Sequence, residues 1–370
     1  MKTLLYCQHS LGIGHLVRTI LLATSLLELG NVGVIVGGKI PKKYSFDSRL
    51  QIFPITPLMM DVEGNLFGDN TDRTVEEVFR DRCLQVTLIV SRFLPDTMIV
   101  EMFPFGRKKF AKEIVALIDA AKQLSKCKIY SSVRDILVTT RPNQNKHDRM
   151  AVERLNLHFD AVLVHGDPAF AKLEDTFSTF SDLKIPVHYT GYIAPEAEKS
   201  KDYPTRKKRV VVSSGGGRVG QKLFEAATKS FELINDSLGL EMTLLAGSLS
   251  GELNYKPKPG LTVLPYIKDL SNYMAASYVS VSQCGYNTCT DVLRSCTPAV
   301  FVPFETTSET EQLCRAQHLA DADRAVVLRE QELTPKKLVA AIVTACQCQT
   351  DCNVNLDGIV TSKMLIEAGA

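Results

Sequence analysis

No stretch of this 370-residue chain approaches the ~18 consecutive apolar residues that a membrane span needs. Charge of one sign is missing as well. The 43 Lys and Arg against 41 Asp and Glu leave a net charge of +2, too little to recruit nucleic acid or an anionic membrane over the whole surface. The opening residues hold only Leu4 to Tyr6 as an apolar stretch before a glycine-rich turn, so no secretion signal is expected there. The ten cysteines are then expected as reduced thiols in a cytoplasmic protein. Cys346, Cys348 and Cys352 form a C-x-C-x3-C cluster with no nearby His, which is not a zinc framework; thiols on a helix end and loop are expected. Two nucleotide signatures are incomplete. Val17 stands where a dinucleotide fingerprint needs its third Gly, and the stretch Ser213–Gly220 lacks the Gly-Lys-Ser/Thr ending of a P-loop. No Asp-x-Asp metal motif stands at a strand end, and no metal or other cofactor is expected.

What the chain does have is an alternation of apolar strand, turn and amphipathic helix. Strands are expected at Lys2–Gln8, Gly33–Gly37, Gln51–Ile55, Thr97–Glu101, Cys127–Val133, Ala161–His165 and Val187–Thr190, with helices at Leu16–Leu29, Val75–Phe93 and Lys109–Gln123. Residues 56–72 mix Pro, Gly, Asn and Asp and read as a loop. A polar stretch rich in Lys and Arg follows Pro195, and a second strand–turn–helix series begins at Arg209, with strands at 210–213, 242–246, 262–264, 278–282 and 299–302. The organisation expected is a domain over 1–195, a linker over 196–209, a second domain over 210–350, and a C-terminal helical segment over 351–370 packing back on the first. Such alternation gives parallel sheets with right-handed crossovers, so the fold class is α/β with two Rossmann-like domains facing across a cleft. Ligands of such sheets bind beyond the carboxyl ends of the strands.

Three segments carry chemistry. Gly12-Ile13-Gly14-His15 sits between a strand and a helix, where glycines admit a ligand to the backbone and the helix start offers N–H groups and partial positive charge. His15 there is suited to proton transfer, and Arg18 lies one turn on. Ser214-Gly215-Gly216-Gly217-Arg218 follows the first strand of the second domain as an anion nest with a guanidinium. Gly285-Tyr286-Asn287-Thr288 opens another helix suited to a diphosphate, and Asp291 one turn in can reach a sugar hydroxyl. Downstream, the run Glu305 to Gln312 offers hydroxyl, amide and carboxylate groups that suit a sugar. Each has a plainer reading: a tight turn with a structural His, a flexible turn, a solvated helix start.

The Gly12–His15 turn, the Gly215–Gly220 turn and the run Cys284–Gln312 together resemble the MurG-like glycosyltransferases. Further likeness, to bacterial glycosyltransferases of unknown acceptor, lies in Glu101 with Phe103-Pro104-Phe105-Gly106-Arg107, in His165-Gly166-Asp167-Pro168 and in Glu309-Thr310-Glu311-Gln312. The resemblance implies a GT-B fold and a UDP-sugar donor. It places Asp291 on the ribose hydroxyls, the main chain of Ile267 on the uracil edge, Gly285 to Thr288 on the diphosphate with Gly14, and Glu311 and Gln312 on the donor sugar. His15 falls near the diphosphate and the acceptor. The family's Gly-Gly-Ser-Gln-Gly loop is here Gly-Gly-Gly-Arg-Val-Gly, Asp291 replaces a Glu, and Glu311 replaces one Gln of a pair. These departures bear on the sugar more than on the nucleotide.

The activity expected is an inverting, metal-independent transfer of a hexose or N-acetylhexosamine from a UDP-sugar to a hydroxyl acceptor, small or lipid-linked. His15 is the first candidate for the base, followed by Asp167 and Glu101; Gly12, Arg18, Phe105, Arg107 and Arg134 are candidate acceptor contacts. Peripheral membrane contact is compatible with this, and a nucleic-acid partner is not expected. Other readings stay open on the residues alone. The Gly12–Arg18 string also resembles the UDP-sugar hydrolase of pseudaminic acid biosynthesis. A nucleotide-sugar binder without catalysis is a further reading, and a nicotinamide dehydrogenase a weaker one.

Overall fold

The computed structural model describes residues 1–10, 12–42, 44–61, 64–68, 72–124, 126–195, 206–215, 220–246, 258–265, 267, 269–306, 310–348 and 353–369. The chain divides into two compact units. Unit 1 comprises Met1–Leu137, Pro142–Ile193 and Asp357–Ala370, and unit 2 comprises Val138–Arg141 and Ala194–Leu356. The chain thus leaves unit 1 twice, briefly at Val138–Arg141 and then at Ala194–Leu356, and returns for its last helix.

Unit 1 runs β1 (Lys2–Cys7), α1 (Gly14–Leu26), β2 (Asn31–Val36), β3 (Gln51–Pro54), β4 (Leu58–Met60), β5 (Leu66–Gly68), α2 (Val75–Phe93), β6 (Thr97–Glu101), α3 (Ala111–Lys122), β7 (Lys128–Arg134), α4 (Gln144–His158), β8 (Ala161–His165) and β9 (Val187–Tyr189). Its seven-stranded sheet has the order β3-β2-β1-β6-β7-β8-β9, every neighbour parallel. Central strands such as Thr97–Glu101 are buried along their whole length, as a sheet covered on both faces requires. Leu4, Tyr6, Met98 and Val100 point to one apolar layer, while Leu5, Cys7 and Ile99 point to the other with α1 residues Leu16 and Ala23. α2 begins on a capping box, the Thr74 side chain accepting from Glu77 N–H while Glu77 accepts from Thr74 N–H.

Unit 2 runs β10 (Lys207–Ser213), α5 (Gln221–Leu238), β11 (Glu241–Leu245), β12 (Leu261–Leu264), α6 (Leu270–Ala275), β13 (Ser277–Ser282), α7 (Tyr286–Ser295), β14 (Ala299–Phe301), α8 (Glu311–Asp321), β15 (Val326–Val327) and α9 (Pro335–Ala345). Its six-stranded parallel sheet has the order β12-β11-β10-β13-β14-β15. α5 stops at Gly239, whose φ of +62° suits a left-handed cap. The last helix, α10 (Gly358–Ala368), belongs to unit 1, where Ile366 joins the α1 layer and Lys363 pairs with Glu28. No described helix is long and apolar enough to cross a membrane.

In each sheet the strand order reverses beside the first strand, between β1 and β6 and between β10 and β13. Connections leaving those neighbours depart in opposite directions, which opens a crevice at the strand ends. Both glycine-rich turns of interest follow such a strand.

Two segments differ from the sequence expectation. Residues 56–72 are not loop throughout, because β4 and β5 form an antiparallel hairpin with Leu58 opposite Gly68 and Met60 opposite Leu66. The few apolar residues flank a turn at Gly64 (φ +89°), and Asp61 accepts from Asn65 N–H across it at 2.7 Å. Between β7 and β8, where the sequence reading has no element, lies α4. Its apolar stripe is narrow (Ala151, Val152, Leu155), and its buried Asp148 accepts from Ser178.

A buried ion pair fastens the elements of unit 1. Arg82 of α2 binds both carboxylate oxygens of Glu113 of α3, and Tyr6 of β1 donates to the same carboxylate. The Arg82 guanidinium also donates to the carbonyls of Gly37 (2.8 Å) and Thr56 (2.6 Å) and to Gln8 Oε1 (2.6 Å). A Cβ at Gly37 would stand 2.0 Å from Gln8 Oε1, so only glycine admits this approach. Neither charged side chain is exposed (0% each). Replacing Glu113 by Gln strips Arg82 of its counter-charge, and the expected loss in unfolding free energy is about 3–5 kcal/mol. Chemical denaturation of E113Q would show it as an early transition of unit 1. The same neutralisation at Glu232, in its exposed pair with Lys258, should leave the curve in place.

Candidate active site

The first cluster lies at the strand ends of unit 1. α1 starts at Gly14, which places His15 in the first helical turn beyond β1. A Cβ at Gly12 would meet nothing within 4 Å, so the turn borders open space. His15 Nδ1 lies 2.9 Å from Glu101 Oε1, at the end of β6. Arg18, one turn along α1, donates to the same oxygen. The other oxygen accepts from Ser132 Oγ at 2.9 Å. Ser132 is in turn 2.9 Å from His165 Nε2, and His165 Nδ1 is 2.9 Å from Thr190 Oγ1. The ends of β6, β7 and β8, with Thr190 just past β9, therefore meet in one polar chain.

The protons in that chain follow from the donor inventory. Burial pushes His165 down to about 3, so it is neutral at ordinary pH. Because Ser132 gives its one proton to Glu101, His165 meets Ser132 through an Nε2–H, and Thr190 Oγ1 stands 2.9 Å from its Nδ1 and 2.9 Å from the Gly191 carbonyl. Burial opposes ionisation of Glu101, but the Arg18 charge and the His15 hydrogen bond override it and hold Glu101 well below the usual carboxylate range. A carboxylate accepts only, so His15 carries its proton on Nδ1 and leaves the Nε2 lone pair for a ligand. Burial, followed by the charge of Arg107, lowers His15 well below its ordinary value in spite of Glu101. Its side chain is still 20% exposed. The result is a neutral, oriented and partly exposed imidazole whose acceptor nitrogen is not taken by Glu101, the arrangement general-base chemistry needs.

The other candidates of this unit fall around it. Arg107 and Arg134 add positive charge beside His15. Arg107 caps a short 3-10 turn in a left-handed conformation (φ +60°). Glu101 is 3% exposed and held by three partners, so its carboxylate faces His15, Arg18 and Ser132. Asp167 is buried in the turn after β8, where its carboxylate accepts from Ala169 N–H at 2.9 Å. Phe105 is a correction: it is 1% exposed and packs edge-on against Phe177 with ring centroids 5.1 Å apart, so it has no face to offer an acceptor.

The second cluster lies at the strand ends of unit 2. After β10, Gly215 adopts φ +65°, and a Cβ there would stand 3.2 Å from Thr288 Oγ1 of α7. The turn after β10 and the first turn of α7 are thus side by side. Gly285 caps α7 and faces open space, and Cys289 N–H returns to its carbonyl at 2.8 Å. Ser214 Oγ and Ser282 Oγ, at the ends of β10 and β13, are buried without a hydrogen-bond partner. Tyr286 and Thr288 are buried, and Asn287 is half-buried. Asp291 follows on α7 and is pushed up to about 7 by burial and then by the charge of Asp269, which caps α6. Ile267 lies just beyond β12. Gly216, Gly217 and Arg218 lie outside the described residues, as do Glu309 and Cys352.

Glu311 and Gln312 open α8, but both also work on the protein itself. Glu311 is 3% exposed and pairs with Arg315 at 3.0 Å. Gln312 Oε1 accepts from Phe304 N–H at 3.1 Å. Arg315 itself is fully buried and donates to the Cys284 carbonyl at 2.9 Å, tying α8 to the loop that leads into α7. Ser132, Thr190 and Arg315 are the residues that sequence reasoning missed. Among the described residues, no group of three His, Cys, Asp or Glu is placed to hold a metal ion.

Comparison with known proteins fits this geometry. Residues 210–353 match the glycosyltransferase family 28 C-terminal domain. The UDP-N-acetylglucosamine--N-acetylmuramyl-(pentapeptide) pyrophosphoryl-undecaprenol N-acetylglucosamine transferase of Thermotoga maritima is 27% identical over 199 residues, 54% of this chain and 55% of that protein. The enzyme of the same name from Lactococcus lactis subsp. cremoris is 32% identical over 88 residues, 24% of this chain and 25% of its own. The chain spans about half the length, or less, of these curated relatives. Among solved structures, Acinetobacter baumannii MurG matches with a TM-score of 0.59 at 15% identity over 100% of both chains. Glycosyltransferase VinC, solved with DTDP, matches at 0.62 and 15% over 100% of this chain and 99% of its own. Two parallel α/β units with these neighbours make a GT-B fold, and the second unit carries the match to the glycosyltransferase family 28 C-terminal domain.

Proposed function

We propose that this chain moves a hexose or N-acetylhexosamine from a UDP-sugar to a hydroxyl acceptor, small or lipid-linked, with inversion and without a metal ion. The observation that carries the proposal is the His15–Glu101 pair: a neutral imidazole with Nδ1 bound to a buried carboxylate and Nε2 left for a ligand. In the reaction, the acceptor hydroxyl attacks the anomeric carbon while His15 Nε2 takes its proton. The bond from that carbon to the diphosphate oxygen breaks, and UDP leaves with the electron pair. Glu101 keeps the imidazole in the correct tautomer and stabilises the imidazolium as it forms.

Unit 2 serves the donor in this reading. The α7 N-terminus beside the Gly215 turn supports the diphosphate and its growing charge through helix N–H groups and the helix dipole, a role a metal plays in other enzymes. The buried, unpaired hydroxyls of Ser214 and Ser282 stand at the same strand ends as donors. Asp291 accepts from the ribose diol. The curated relatives are named for a UDP-sugar donor, which supports UDP over other nucleotides.

UDP is expected to raise the thermal midpoint of the full chain by several degrees at about 100 times its Kd, a stabilisation of about 2.7 kcal/mol, whereas ADP, GDP and NAD leave it in place. The shift should depend on pH. Only the ionised form of Asp291 accepts both hydroxyls, so with its value raised to about 7, UDP affinity should fall as pH drops through 7 and hold steady above it. Asp291→Asn should flatten that dependence. A UDP affinity independent of pH between 6 and 8 in the wild type would remove Asp291 from the ribose.

His15→Ala should lower kcat by about 10²–10⁴-fold with little change in UDP affinity. Because His15 sits well below 6.5, kcat at saturating donor should stay flat from pH 8 down past 6.5. Glu101→Gln, which no longer holds the tautomer by charge, should lower kcat and move that acid limb further down. Rapid UDP release with no acceptor present would instead assign the same pair to activating water, the hydrolase reading.

A further inference from the structure

Arg315 of α8 is fully buried in unit 2, and its guanidinium spans two elements. Nη2 pairs with Glu311 Oε1 at 3.0 Å, and Nη1 donates to the Cys284 carbonyl at 2.9 Å. Its Cζ lies 5.8 Å from the centroid of the Tyr286 ring, the residue that opens α7. A planar fork holds such partners in one fixed geometry. The Glu311–Arg315 pair carries no net charge, so what Arg315 gives to the start of α7 is direction rather than added charge.

The segment between β13 and α7 is short, and its peptide groups are pinned one after another. Gln283 N–H donates to the Ser213 carbonyl at 3.2 Å, and the Gly285 carbonyl accepts from Cys289 N–H at 2.8 Å. Between them, the Cys284 carbonyl is held by Arg315. A trans peptide sets its N–H opposite its carbonyl. Drawing the Cys284 carbonyl onto a buried guanidinium therefore turns the Gly285 N–H the other way, at the N-terminal end of α7. The protein itself does not require glycine there. A φ of −65° and a ψ of 152° suit any residue, and a Cβ would meet nothing within 4 Å. The buried hydroxyls of Ser214 and Ser282, which have no partner, stand at the same strand ends. Clear space beside an aimed N–H and unmet hydroxyls is space for a ligand.

The geometry points to Arg315 as a positioning residue for the donor: by holding the Cys284 carbonyl, it aims the Gly285 N–H at the diphosphate. This rests on the transferase reading and adds to it a residue that touches neither nucleotide nor sugar. Glu311 fixes the guanidinium in turn. Without Arg315 the Cys284–Gly285 peptide is free to rotate, and a carbonyl turned outward would face the anion.

Calorimetric binding of UDP and of uridine to the full chain tests this. Uridine lacks the diphosphate, so it reports the fold and the nucleoside contacts alone. Arg315→Met combined with Glu311→Gln removes the pair without leaving one buried charge unpaired. UDP affinity should fall about tenfold, the worth of one hydrogen bond to a charged group, while uridine affinity stays at the wild-type value. Arg329→Gln, at an exposed arginine of the same unit, should bind both like the wild type. An equal fall for UDP and uridine, or no fall for either, overturns the assignment. A second measurement needs no change at Arg315. In a chain isotope-labelled at glycine, the Gly285 amide signal, assigned with Gly285→Ala, should move downfield on saturation with UDP and far less with uridine. A Gly285 signal that UDP leaves in place overturns the role of Arg315, even where the double variant does not fold. If the wild type binds UDP no more tightly than uridine, the donor reading itself fails and this inference with it. If UDP binds tightly with Gly285 unmoved, the inference alone fails.

Discussion

A carboxylate buried at the end of a central strand has to be met by charge and by donors, and at Glu101 that requirement organises one end of unit 1. Arg18 brings the charge, His15 and Ser132 bring donors, and His165 and Thr190 complete the line behind Ser132. His15 and Arg18 come from α1, Ser132 from β7, His165 from β8 and Thr190 from just past β9, so the site exists only when the parallel order β1-β6-β7-β8-β9 is in register. The demand also runs outward. An ionised Glu101 fixes the proton of His15 on Nδ1, and that fixes where the lone pair points. Fold and chemistry are linked here by one unsatisfied lone pair at the end of a hydrogen-bonded chain.

Strand-order reversal explains why both units place their glycine turns at strand ends beside an opening. Each sheet has its first strand flanked by strands whose connections leave in opposite directions, at β1 and β6 in one and at β10 and β13 in the other. The two crevices are furnished differently. In unit 1 the opening holds the His15 imidazole, the Glu101 carboxylate and the cations of Arg18, Arg107 and Arg134. In unit 2 it holds a helix N-terminus, buried hydroxyls and the Asp291 carboxylate. N–H groups, hydroxyls and a carboxylate are the groups that suit a diphosphate joined to a diol, which is why the proposed reading gives the donor to unit 2.

Much of this was legible in the sequence, and the limits have physical causes. Strands such as Thr97–Glu101 and Ala161–His165 are continuous apolar runs because parallel strands are buried on both faces, and the structure has them at those residues. The helix Val75–Phe93 is marked by its capping box and matches as well. By contrast, α4 is polar over most of its surface, and the β4–β5 hairpin is three residues per strand, so neither gives a periodic signal of useful length. His15 and Glu101 are both visible as candidates, but 86 positions separate them. Sequence reasoning sets them against each other as rival bases, whereas contact makes one the support of the other. Phe105 reads as an aromatic beside basic residues, and only packing against Phe177 shows it to be core. Arg315 stands out by nothing but its position on α8, and its work on the Cys284 carbonyl is a tertiary fact.

Two ionisable groups in this protein are displaced in ways that separate their tasks. Burial lowers His15 because its charged form is a cation, and raises Asp291 because its charged form is an anion. The same desolvation therefore keeps one group unprotonated across neutral pH and makes the other a group that needs a ligand, or a pH above about 7, to hold its charge. In the proposed reading a diol bound to Asp291 would replace the lost hydration and restore the carboxylate, coupling nucleotide binding to ionisation there. His15 has no such dependence on the donor; its state is set within unit 1 by Glu101 on one side and by Arg18, Arg107 and Arg134 on the other.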